Sequence, residues 1–345
     1  MKGITYQGPW QLELTEREQP TIQSPNELLI KVAATGICGT DLGIASGQYS
    51  ATQGVILGHE FAGTVVATGD KVSSFKEGSR VFVDPTYFCG KCDMCTTDRP
   101  NHCDDKTQTE TGVSADGAFA SFYVTTDRFL LPMKDTTSFE AATLAEPLSC
   151  ALTGVNQVKT RPDDQTVILG GGTMGIMYAH ALSLKGVRGT VVDISPDRLA
   201  LTKDALPQGW LVAGSLEEAT AAFKNSRCDL VVDTSSVMTP KIIPNLNRGG
   251  RIILVGLRRN TAQIDPAELA DKSISLVGSI DSIGTFPLAC RLIDQGRLPT
   301  DKIITGSYGL SDFKQAFAEL GVDLQAKRKT ASARQIKILL TPDQM

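Results

Sequence analysis

Thr166-Val167-Ile168-Leu169-Gly170-Gly171-Gly172-Thr173-Met174-Gly175 is the stretch on which the fold turns. An apolar, β-branched run reads as a buried strand, the glycines as a turn, and the residues from Met177 to Leu184 as a helix. The turn satisfies G-x-G-x-x-G in the strand, turn, helix context that gives the pattern its meaning. Gly170 permits the tight turn, Gly172 lets the backbone approach a pyrophosphate, and Gly175 allows the helix close to the strand. The phosphates are expected over the first helical residues, Thr173 and Met174, at the positive end of the helix dipole. Asp193 closes the next strand, Thr190-Val191-Val192, where an acid hydrogen-bonds ribose hydroxyls and repels a 2′-phosphate. NAD is therefore expected over NADP. Arg198 follows closely and could lie over the adenine, or equally tolerate a phosphate.

Outward from this motif the grammar is that of an α/β domain. Leu230-Val231-Val232, Ile252-Ile253-Leu254-Val255 and Ile274-Ser275-Leu276-Val277 are further apolar runs separated by helical segments, which indicates a doubly wound parallel sheet covered on both faces. Upstream, from Gly3 to about Leu131, short runs such as Leu28-Leu29-Ile30-Lys31-Val32-Ala33, Gly63-Thr64-Val65-Val66 and Arg80-Val81-Phe82-Val83 predict a β-rich half. Ser138 with Glu140 after it suits a helix start, in a stretch connecting the two halves. Beyond Pro287 come two helical patterns and then Gln335-Ile336-Lys337-Ile338-Leu339-Leu340, a strand with no helix after it, expected to return to the first domain. The basic, polar residues 327–334 read as a solvated loop. With 345 residues, two domains are expected: 1–152 together with 288–345, and 153–287.

A net charge of −4 gives no field to attract nucleic acid or an anionic membrane, so neither is expected as a partner. No apolar run approaches the roughly 20 residues of a membrane helix, and Met1 to Trp10 lack a signal-peptide core, so a cytoplasmic location is expected.

Four of the eight cysteines fall at Cys89-x2-Cys92-x2-Cys95-x7-Cys103. Four soft ligands in one short loop suit a closed tetrahedral zinc site, which is structural because no position stays open. A nucleic-acid-binding zinc ribbon is the rival, disfavoured by the surrounding Asp84, Asp93, Asp98, Asp104 and Asp105. Cys150, Cys228 and Cys290 are isolated and read as small buried apolar residues.

Only three histidines occur, and His59 lies between Gly58 and Glu60 at the end of an apolar run. Cys38, upstream in Gly36-Ile37-Cys38-Gly39-Thr40-Asp41, together with His59 and a carboxylate, would make a mixed sulfur, nitrogen and oxygen set with room for substrate, as catalytic zinc needs. Glu146, in Ala145-Glu146-Pro147, is a second available carboxylate. Spacing alone does not bring these residues together.

Gly58-His59-Glu60-x2-Gly63-x5-Gly69-x2-Val72 resembles the zinc signature of the medium-chain dehydrogenases, the family of zinc alcohol, sorbitol and threonine dehydrogenases. The likeness continues through Cys38 to Asp41, the four-cysteine loop, Glu146-Pro147-Leu148 and the glycine turn, and so covers nearly the whole chain. It implies a GroES-like catalytic domain with a Rossmann nucleotide domain inserted before its last segment. It implies two zinc ions, one catalytic and one structural, with Cys38 and His59 as catalytic ligands and Thr40 as the hydroxyl that takes the substrate proton. Many alcohol dehydrogenases have a second cysteine where this chain has Glu146; the polyol branch resembles it in having glutamate there. In that branch the acid matching Glu60 can ligate directly and the one matching Glu146 ligates or acts through water, so the third ligand is open between them. Gly43 and Thr153 stand where relatives often carry histidine, which leaves the proton to exit by Glu60, Glu146 or water.

The function implied is hydride transfer between NAD and a secondary alcohol of polyol, sugar or amino-alcohol type, including aminocyclitols. A simple alcohol dehydrogenase is the alternative, and a non-catalytic relative a more distant one, because such relatives lack the zinc ligands retained here. Tyr49, Phe88 and Phe119 are candidate substrate-facing aromatics. The resemblance further implies a small-molecule substrate and a homodimer or homotetramer.

Overall fold

The computed structural model describes residues 1–236, 242–257, 261, 263–282, 284–330 and 334–342. The chain divides into two compact units, residues 1–149 with 282–345, and residues 150–281.

In the first unit a strand Glu27–Gly36 runs beside Glu60–Thr68, which pairs with Arg80–Val83 and then Leu130–Pro132, all antiparallel. The strand Phe122–Thr126 pairs with the other side of Glu27–Gly36. Strands of this half bury one face on Leu28, Ile30, Val32, Phe61, Val65 and Val81. The terminal strand Lys337–Thr341 joins the same sheet, antiparallel to Glu27–Gly36 through Leu339 opposite Gly36, and parallel to Ile304–Gly309. It therefore lies beside residues 300 positions earlier in the chain.

The second unit holds a six-stranded parallel sheet in the order Leu211–Ala213, Gly189–Val192, Thr166–Leu169, Cys228–Asp233, Leu246–Leu254 and Ser275–Gly278. The order reverses at Thr166–Leu169, the switch point where doubly wound sheets bind ligands. The helix Thr173–Ser183 leaves this strand through the glycine turn. Leu211–Ala213 is an element that sequence periodicity does not resolve, because three residues carry no measurable alternation.

Ser138 caps the helix Phe139–Ala142, its hydroxyl accepting from Ala141 N at 3.1 Å. Two sequence expectations need correction. Residues 328–329 are not loop but pair with Val322–Asp323 in a short hairpin, Arg328 and Lys329 exposed and Val322 buried; residues 331–333 of that stretch lie outside those described. Cys228 and Cys290 are buried, but Cys150, on the helix Ala145–Asn156, is only half-buried.

Candidate functional site

Cys38 precedes the short helix Gly39–Ala45, and Asp41 at its third position accepts the Cys38 backbone N–H at 2.8 Å. That bond fixes the loop from which the thiol projects. His59 and Glu60 come from the start of the strand Glu60–Thr68, which is paired through Glu60 to Gly36, two residues before Cys38. Sheet register thus brings Cys38 to His59 and Glu60, 21 and 22 residues later in the sequence. One ligand atom each from Cys38, His59 and Glu60 lie within 4.8 Å of one another. A thiolate, an imidazole and a carboxylate at that separation fit a zinc ion with a position left open.

The electrostatics favour a cation here. Burial alone would lower the His59 pKa, yet the Cys38 sulfur and the charges of Asp41 and Glu146 hold it well above the ordinary imidazole value. Asp41 is itself pushed up by burial, against the pull of His59 and the Cys38 N–H. Glu146 acts on His59 through its charge, but it is not among the three residues whose ligand atoms converge. The structure thus separates the two carboxylates that the sequence left equivalent: Glu60 is in the cluster and Glu146 is beside it.

Lys337 is the residue that sequence reasoning missed. Its ammonium donates to Glu60 Oε2 at 2.5 Å and to the Ile37 carbonyl at 2.9 Å, and both side chains of the pair are at most 2% exposed. Burial would lower its pKa, but Glu60, Cys38 and Glu146 together raise it. A lysine within an apolar terminal strand gives no signal of this role, since alternation would place it towards solvent.

Thr40 is the second residue of the helix, with its Oγ1 3.6 Å from Cys38 Sγ. At Gly43 an added Cβ would meet only Tyr49 Cβ at 3.5 Å, so space remains where relatives carry a longer side chain. Tyr49 is packed against the hydrophobic core of the first unit, Phe88 is covered by Arg128 at 4.1 Å, and Phe119 is fully buried in edge-to-face contact with Phe317. Phe119 is therefore core rather than substrate-facing, because the chain turns it inward beneath Gly58.

Cys89, Cys92, Cys95 and Cys103 bring their four sulfurs within 4.8 Å of one another. The N–H groups of Lys91 and Cys92 lower the Cys89 pKa to about 7, whereas burial pushes Cys95 up to about 12.

In the second unit Gly170 takes φ +107°, a Cβ on Gly172 would meet nothing, and a Cβ on Gly175 would lie 1.9 Å from the Gly170 carbonyl oxygen. The helix starting at Thr173 has Gly172 at its N-cap, a residue with no side chain to cap the first N–H groups, and a helix N-terminus of this kind suits an anion. Asp193 accepts from Gly171 N and Ser195 N, both at 2.9 Å, and Arg198 Nη1 lies 3.7 Å from Oδ2. The carboxylate is held rigidly and retains lone pairs for further donors.

Residues 24–135 match the alcohol dehydrogenase GroES-like domain. Over 328 residues the chain is 30% identical to the sorbitol dehydrogenase of Bacillus subtilis, covering 92% of each protein. The chain belongs to the zinc-containing medium-chain dehydrogenases. This dehydrogenase is also 28% identical to D-arabinitol dehydrogenase 1 of Uromyces fabae, over 99% of this chain and 97% of that one. A crystal structure of an alcohol dehydrogenase from Escherichia coli CFT073, complexed with NADH, superposes with a TM-score of 0.86 at 26% identity and 99% coverage of both chains. The dehydrogenase fold, a GroES-like domain plus a Rossmann parallel sheet, agrees with the architecture described above. Among the described residues no helix is long and apolar enough to cross a membrane.

Proposed function

We propose that this dehydrogenase oxidises a secondary alcohol of a polyol, sugar or amino-alcohol, aminocyclitols included, with NAD as hydride acceptor. The observation that carries the reading is the convergence of Cys38, His59 and Glu60 with Glu146 nearby, a set containing a single thiolate. Such a set is harder than one with two thiolates and suits vicinal oxygen or nitrogen ligands. The named relatives that act on arabinitol and sorbitol support the same substrate class.

Zinc held by Cys38, His59 and Glu60 would acidify a bound hydroxyl, and NAD would accept the hydride. Thr40, beside the Cys38 sulfur, takes the hydroxyl proton. With Gly43 offering no side chain to receive it, the proton passes on to water, with Glu146 as the nearby base. Lys337 keeps Glu60 oriented through its second bond to the Ile37 carbonyl. Gly170, Gly172 and Gly175 of the glycine turn, with Thr173 and Met174, bind the cofactor pyrophosphate, and Asp193 binds its ribose. Cys89, Cys92, Cys95 and Cys103 hold a second, structural zinc. The enzyme works in the cytoplasm as a homodimer or homotetramer.

The test is a screen of polyols, aminocyclitols, threonine and ethanol for NAD reduction, together with zinc counting. Two zinc ions per chain and a preference for vicinal substrates are expected. A preference for ethanol, or no zinc, would overturn the reading.

A further inference from the structure

We propose that the turn at residues 112–119 is the element that positions His59, with Gly117 as its positioning residue; this rests on the reading of Cys38, His59 and Glu60 as a metal site. The peptide before His59 is gripped from three sides. Gly58 has φ +92°, and a Cβ there would lie 2.3 Å from the Phe119 ring. A Cβ on Gly112 would lie 2.8 Å from Gly58 N. A Cβ on Gly117 would lie 2.1 Å from Gly58 O and 2.7 Å from Leu57 O, both backbone atoms.

The grip is also hydrogen-bonded. Gly117 N donates to Ile56 O at 2.7 Å, Ala118 N to Gly58 O at 2.8 Å and Phe119 N to Leu57 O at 2.8 Å. Asp116 closes the outer end, accepting from Ile56 N at 2.9 Å while paired to Arg17 at 3.2 Å. His59 needs such support. Its Nδ1 is buried without a hydrogen-bond partner, as is Oδ1 of Asp41, the neighbouring acid that acts on the imidazole through its charge. Metal-binding histidines are ordinarily oriented by a bond from their second nitrogen. Here the backbone of residues 56–58 sets the point from which the imidazole is presented to Cys38 and Asp41, and it can do so only while position 117 lacks a side chain, since a backbone oxygen cannot swing aside as a side-chain tip can.

The experiment compares wild type, Gly117→Ala, Phe119→Leu and Gly54→Ala by zinc retained against a graded chelator, thiol titration and thermal unfolding, with zinc alone as the probe. Gly54 has φ +85° with nothing within 4 Å of its Cβ position, so its variant reads the cost of strained φ without any push on neighbours. Gly117→Ala is expected to release one zinc at least about tenfold more easily, the scale for disturbed metal shells. That release should expose one thiol, Cys38, while the four-cysteine site stays filled; Gly54→Ala should keep both zincs. A merely structural role would lower the melting temperature without singling out one zinc. Should Gly117→Ala not fold, Phe119→Leu, which loosens the floor under Gly58, is expected to show the same selective loss to a smaller degree. A folded Gly117→Ala with wild-type retention of both zincs overturns the proposal, as does wild-type retention in Phe119→Leu where Gly117→Ala is unfolded. A wild type that never holds a second zinc would instead overturn the metal reading itself.

Discussion

Lys337 Nζ lies 2.5 Å from Glu60 Oε2, and the two residues, 277 positions apart, are both shut off from solvent. A buried pair of this kind costs much desolvation, and its physical signature is how strongly it resists losing one partner. In chelator-stripped protein, where no metal shares the carboxylate, Lys337→Met should lower the unfolding free energy by about 3–5 kcal/mol, because Glu60 would remain buried and uncompensated. Adding Glu60→Gln should restore much of that loss. Denaturant titrations of the two single variants and the double variant read the coupling, and strictly additive losses would count against the pair.

Glu60 and Glu146 should divide the labour of the metal site. Glu60→Ala is expected to deplete the catalytic zinc, since its carboxylate converges with Cys38 and His59. Glu146→Ala should keep the metal but lose turnover about tenfold, because it acts on His59 from outside that cluster. Zinc per chain measured beside steady-state kinetics separates the two, and equal zinc loss in both would refute the division.

Asp193 has a structural as well as a recognition role. Asp193→Ala should reduce NAD efficiency and raise relative NADP use. It also strips Gly171 N and Ser195 N of their acceptor, which should cost about 1–3 kcal/mol for each donor left unpaired. A variant with an unaltered cofactor ratio would remove Asp193 as the discriminating acid, whatever its melting temperature.

His180 predicts part of the acid sensitivity. Burial lowers its pKa, and its Nε2 bonds the Ala205 carbonyl at 2.9 Å. Below the ordinary imidazole value of 6.5 the unfolded chain takes up a proton that the folded chain resists, so stability falls as pH drops through that value. His180→Gln, which can still donate to the carbonyl, should flatten this slope. An identical acid slope in wild type and variant would exclude the contribution.

The nucleotide turn and the four-cysteine loop were legible from residues alone, because each depends on short-range spacing: glycines at a turn, thiols in one loop; Cys38 and His59 were assigned as ligands only through the family resemblance. Local spacing carries that information because backbone geometry fixes where near neighbours can point. What the tertiary structure decided is everything that depends on sheet register across long separations. Pairing of Glu60 with Gly36 brings the imidazole to the thiol, distinguishing Glu60 from Glu146. Pairing of Leu339 with Gly36 carries Lys337 inward, although its neighbours Ile336 and Ile338 would assign it to the solvent side. Phe119 moved from the substrate side to the core for the same reason, since an aromatic's sequence says that it will be buried but not against what. A strand's alternation specifies two faces, and only its neighbours determine whether one of them, or both, is closed to water.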